Sequence, residues 1–136
     1  MIGERRVRRE DLRLLRGRGR YVDDIDLPGR GRALRFHPAL GPAGANANFV
    51  SPPREPGGPW LIRTYERGVE GETLACGTGT VAAALAVAGE AGLPATFRSR
   101  GGALLSVSAT PAGACATDVW LCGEGRLVFE GRLTAL

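Results

Sequence analysis

The run from Gly77 to Ala91 constrains this 136-residue chain more than any other feature. It is made largely of Ala, Val, Gly and Thr, and Gly92 and Pro94 follow it as stop signals, which predicts a helix over 77–91. Within it, Val81 to Ala88 is apolar on every face, whereas a helix on a protein surface carries a polar stripe. The expectation is a helix enclosed on all sides, with small alanines that let neighbouring strands come close. This longest apolar run is far short of the roughly 18 residues that cross a bilayer, so no membrane association is expected.

The segments around the helix read as strands. Asn46 to Ser51 and Trp60 to Tyr65 precede it, separated by a loop rich in Pro and Gly, and Arg67 to Thr73 reads as a loop. After it, Thr96 to Arg100 and Ala103 to Thr110 form a predicted hairpin at Gly101-Gly102. Asp118 to Cys122 and Arg126 to Glu130 form a second around Gly123-Glu124-Gly125. The predicted fold class is α+β, with a mostly antiparallel sheet curled around one buried central helix.

Charge divides the chain. Residues 1–35 hold 11 Arg against 6 acids, and residues 36–136 hold 7 Arg against 8 acids. Residues 1–30 therefore read as an Arg-rich arm, ending in the turn signal Asp26-Leu27-Pro28-Gly29, and residues 31–136 as the folded domain. A basic cluster can bind nucleic acid. Here Glu10, Asp11, Asp23, Asp24 and Asp26 interrupt it, and Tyr21 is its single aromatic, so no nucleic-acid partner is expected. The first twenty residues lack an apolar signal-peptide core, and the chain reads as cytosolic.

The three cysteines, Cys76, Cys115 and Cys122, form no C-x-x-C pair, and His37 is the sole histidine. That argues against a disulfide framework and against a metal site. Cys76 stands out, because Glu72-Thr73-Leu74-Ala75-Cys76-Gly77-Thr78-Gly79-Thr80 puts a thiol at the start of the apolar helix, followed by two glycines. The first N–H groups of a helix lack internal partners and carry partial positive charge. Such a place favours a thiolate and can cradle a carboxylate. The residues alone leave two readings open: a base for abstracting a proton beside a carboxylate, or a buried structural cysteine.

Arg63-Thr64-Tyr65-Glu66-Arg67-Gly68-Val69, followed by Gly71 to Gly79, resembles the signature around one catalytic cysteine of diaminopimelate epimerases. His37-Pro38-Ala39, Gly44-Ala45-Asn46-Ala47-Asn48-Phe49-Val50, Gly101-Gly102 and the stretch from Cys122 to Gly131 extend the resemblance over about Arg35 to Leu136, matching the second half of such an enzyme. The resemblance implies an isomerase of lysine biosynthesis that interconverts LL- and meso-diaminopimelate without a cofactor, using two cysteines on opposite faces of the α-carbon. Cys76 matches one of them. Gly77 and Thr78 would donate backbone N–H bonds to the reacting carboxylate, Glu66 would hold the amino group, and Arg67 with Asn46 would bind the distal end of the substrate. His37 reads as structural, Asn48 as a turn residue, and Cys115 and Cys122 as packing or loop residues.

The chain also departs from that family. It has room for one of the two similar domains, and the family's other catalytic cysteine lies in the half it lacks. The chain is thus expected to be inactive alone, unless a homodimer brings two copies of Cys76 together. Residues Ile2 to Ile25 resemble the N-terminus of molybdopterin-binding large subunits of the xanthine and carbon monoxide dehydrogenase type, without their cofactor residues, so the arm reads as being of unrelated origin. The alternatives are a non-catalytic domain that binds a carboxylate or a partner chain, and a related isomerase of the same racemase fold.

Overall fold

The computed structural model describes residues 25–113 and 115–132. The resemblance read in the arm therefore falls almost wholly outside the described residues. In chain order the elements are α1 (Leu27–Arg35), a 3-10 turn (Pro38–Leu40), β1 (Ala47–Ser51), β2 (Trp60–Glu66), β3 (Gly71–Thr73), α2 (Gly77–Ala91), β4 (Ala95–Arg98), β5 (Leu104–Ala112) and β6 (Cys115–Gly123). The strands form one sheet in the order β1-β2-β4-β5-β6, with β3 also paired to β2. Every pairing is antiparallel except β2 with β4. Parallel neighbours need a crossover, and α2 is that crossover. The result is an α+β half-barrel with α2 against its inner face, as the sequence predicts.

Alternation along β2 and β4 builds the core. Ile62 on β2, Ala95 and Phe97 on β4 and Val107 on β5 meet Ala83 and Ala84 of α2, and all six are buried. On the opposite face of β2, Tyr65 packs with Ala47 and with Leu27 of α1. Gly31 lets α1 lie directly on Tyr65, because a Cβ there would collide with the tyrosine ring.

Four expectations change. Gly71–Thr73, part of the segment read as a loop, pairs antiparallel with β2 as β3. The signal Asp26-Leu27-Pro28-Gly29 opens a helix rather than making a turn. Pro28 sits in the first helical turn, where its missing N–H costs nothing, and the boundary drawn at residue 30 falls inside α1. The second hairpin also differs. β6 turns back on β5 around Gly113, which has φ +64°, and residues 124–132 form no strand. β5 runs through Pro111, which is tolerated because β4 covers β5 only as far as Val107. Finally, among the described residues α2 is covered on one side only. Thr78, Ala82, Leu85 and Ala86 are exposed, because the described sheet ends at β6 and does not wrap the rest of the helix.

Leu27 is fully buried. Leu27→Ala is expected to cost about 2–4 kcal/mol in chemical denaturation, the range for truncating a buried leucine. A wild-type midpoint would show that α1 adds nothing to the core.

Candidate active site

The site is built around the start of α2. Cys76 is the N-cap, in extended conformation, with no side-chain capping bond. The hydroxyl and the N–H of Thr80 both donate to the Cys76 carbonyl, at 2.8 and 2.9 Å. Thr80 is almost wholly buried, so this double bond fixes where the helix begins. The N–H groups of Gly77, Thr78 and Gly79 precede the first internal helix bond and remain available to an anion. No acidic or basic side chain stands in that first turn.

Cys76 is buried, and its sulfur has two polar neighbours. Asn46 Nδ2 donates to it at 3.7 Å, and Thr78 Oγ1 lies 3.6 Å away. Asn46 Oδ1 accepts the Arg67 N–H at 2.8 Å. One amide thus joins the end of β2 to the sulfur. Gly79 is required here, since a Cβ would collide with Asn48 Oδ1 and crowd the Cys76 sulfur. Above these groups is an open cleft of about 340 Å³, lined in part by Asn46, Asn48, Arg67, Thr78, Gly79 and Ala82.

Of the residues singled out from sequence, Asn46, Arg67 and Thr78 line this one cleft, and Cys76 lies against two of them. Gly77 is the first residue of α2, packed under Leu121 of β6. Glu66 ends β2, half-buried, next to Arg67. Asn48 is not a turn residue: it sits within β1 and accepts a hydrogen bond from Thr64 Oγ1 at 2.8 Å, because the two are cross-strand partners. His37 is exposed and caps the 3-10 turn, its Nδ1 accepting the Ala39 N–H. Cys115 and Cys122 are exposed strand residues rather than packed ones. A larger groove, about 880 Å³, is lined by Thr96, Arg98, Ser106 and Cys122. Strand alternation puts these side chains on the sheet face turned away from α2, so the groove is separate from Cys76.

Two ion pairs brace the rim. Arg35, buried at the end of α1, donates to Glu70 Oε1 at 2.9 and 3.2 Å and to the Ala43 carbonyl at 2.9 Å. It therefore ties the loop before Asn46 to the turn that carries Arg67. Glu70 also accepts the Gly68 N–H, and its backbone carbonyl accepts the Tyr65 hydroxyl. Behind the site, Arg63 grips Glu72 through two bonds of 2.6 and 2.7 Å and so locks β3, which leads to Cys76, onto β2. The sequence reading assigned neither Arg35 nor Glu72 a role, and no local motif marks a residue whose work is to hold a distant loop.

Sequence comparison relates the chain to known proteins. A diaminopimelate epimerase of Gemmatimonas aurantiaca is 46% identical over 126 residues, covering 85% of this chain and 44% of that protein. The enzyme of Aquifex aeolicus is 42% identical over 117 residues, covering 83% and 40%. The chain is a relative of the diaminopimelate epimerases, an isomerase family. The epimerase of Archaeoglobus fulgidus, 39% identical over 118 residues, covers 83% of the chain and 38% of its own length. No family model matches the chain. The chain spans about two fifths of the length of the curated relatives it matches.

The Arg63 hydrogen bonds hold the Glu72 carboxyl below its ordinary value, against a smaller opposing effect of burial. A depressed carboxylate contributes stability above its unfolded pKa, about 4.3, and that contribution is lost as pH falls through the folded value. Glu72→Gln is therefore expected to lower stability near neutral pH and to flatten the loss of stability below about pH 4. Urea midpoints across that range would test it, and two parallel pH curves would count against the Arg63–Glu72 brace.

Proposed function

We propose that this chain carries one of the two proton-transfer faces of an amino-acid epimerase acting on diaminopimelate. The observation that carries this reading is the Cys76 sulfur at the start of α2, against a cleft that also holds Arg67 and unpaired helix N–H groups.

The chemistry follows from that placement. The α-proton of an amino acid is weakly acidic, and as it leaves, negative charge collects on the carboxylate oxygens. Fixed N–H donors from Gly77 and Thr78 meet that charge without reorganising. The Cys76 thiolate takes the proton and becomes a thiol, and in the reverse direction the thiol returns it to the same face. Glu66 holds the positive amino group at that carbon. Arg67, with the free valences of Asn46, takes the distal carboxylate, which suits a guanidinium. No cofactor enters this scheme, and the reaction belongs to lysine biosynthesis.

Inversion also requires an acid on the opposite face, and neither Cys115 nor Cys122 can supply it. Both lie on β6, exposed, and Cys122 borders the groove on the far side of the sheet. These 136 residues assayed alone should therefore interconvert LL- and meso-diaminopimelate poorly, because a missing proton-transfer partner is worth typically 10²–10⁴-fold. The check is stereochemical analysis of product in deuterated water, in a preparation free of host epimerase. Turnover at an enzyme-like rate, abolished by Cys76→Ser, would sink the single-face reading. It would favour a homodimer in which a second copy provides the opposing thiol, with the exposed side of α2 as the surface that meets it.

A further inference from the structure

We infer that Asn46 is a positioning residue for the Cys76 thiolate, a reading that rests on the proposed chemistry only for what the thiolate then does. An asparagine amide has an accepting end and a donating end, and its partners decide which way it faces. The Arg67 backbone N–H can only donate, so it fixes Oδ1 at 2.8 Å and leaves the NH₂ end toward the sulfur at 3.7 Å. The orientation of the amide is thus set from a segment outside the helix.

The two polar neighbours of the sulfur are not equivalent. The Thr78 hydroxyl can donate to a thiolate or accept from a thiol, so it has a bond to offer in both states. The Asn46 NH₂ group can only donate, and a hydrogen bond donated to an anion is stronger than one to a weak neutral acceptor. Asn46 therefore favours the charged sulfur. The other surroundings leave it that part. The first turn of α2 has no charged side chain, β6 presents Leu121 at Gly77, and the side-chain Oδ1 of Asn48 on β1 is engaged by Thr64. The nearest charged residues in the same segment as the Asn46 partner are Glu66, half-buried, and Arg67, exposed toward the cleft. One backbone bond thus holds in register the donor for the sulfur and the cation for the distal end of a ligand.

The test uses the full chain with Cys115→Ser and Cys122→Ser, so that Cys76 alone reports, and follows iodoacetamide alkylation from about pH 6 to about pH 10. Asn46→Asp keeps the size of the side chain and the acceptor for Arg67 N–H but replaces the donor with a carboxylate oxygen. It is expected to slow alkylation by at least about tenfold near pH 7, with the rates converging near pH 10, where any thiol is ionised. An unchanged profile, or the same slowing at every pH, would overturn the inference, since the second result reports access alone. If circular dichroism shows the aspartate variant unfolded, Asn46→Ala is judged by the same profile. The measurement needs no turnover. Absence of α-proton exchange would count against the epimerase reading, while an unchanged alkylation profile would count against this one.

Discussion

The contact of Ala83 and Ala84 with the inner face of the sheet is the constraint on which the site depends. Methyl side chains let the α2 backbone approach Ile62, Phe97 and Val107 closely, and that approach allows one helix to bridge parallel β2 and β4. A crossover of this kind runs from the end of one strand back to the start of its parallel neighbour. Here β3 first runs back along the end of β2, and α2 begins after it, within reach of Asn46, which is itself bonded to Arg67 just past that end. The nearness of Cys76 to Asn46 and Arg67 thus rests on core packing together with the β2–β3 pairing, and the polar residues need only fine adjustment.

That adjustment comes from Arg35. A guanidinium taken from water is expensive unless its donors are met. Here Glu70 and the Ala43 carbonyl meet three of them. The two partners belong to the two loops that deliver Asn46 and Arg67, so satisfying one buried charge sets the spacing of the rim. Gly44 belongs to the same arrangement. Its φ of +58° favours glycine, and a Cβ there would collide with Arg35. α1 is then more than a cover over Tyr65, because its last residue is the strut.

Much of this was legible in the sequence where a signal is local. The bounds of α2 follow from apolar content and the stop at Gly92, and the hairpin at Gly101-Gly102 follows from its turn residues. Cys76, Asn46, Arg67 and Thr78 could be singled out because their motifs are contiguous. What depended on distant partners was not legible. Arg35 and Glu70 are 35 residues apart, and nothing near either one predicts the other. The β5–β6 hairpin has no local signal, because Thr110 to Thr117 is rich in Pro, Gly and Ala, which are poor strand formers that pairing overrides. The enclosure expected of α2 does not hold among the described residues for a related reason: an all-round apolar pattern shows that a helix can be covered on every side, not that these residues supply the cover.

The uncovered side bears directly on the chemistry. Hydrogen bonds to a carboxylate are strong in a dry, low-dielectric site and weak where water competes. The cleft beside Cys76 is open, and the exposed residues Thr78, Ala82 and Leu85 run from it along one side of α2. A surface that holds a charged ligand needs no greasy border, whereas a surface that must exclude water while a proton moves does need one. The same helix carries polar groups at its start and the apolar Ala82, Leu85 and Ala86 beyond them. Along that side water reaches the cleft, so the N–H donors at the start of α2 act there against competition from solvent.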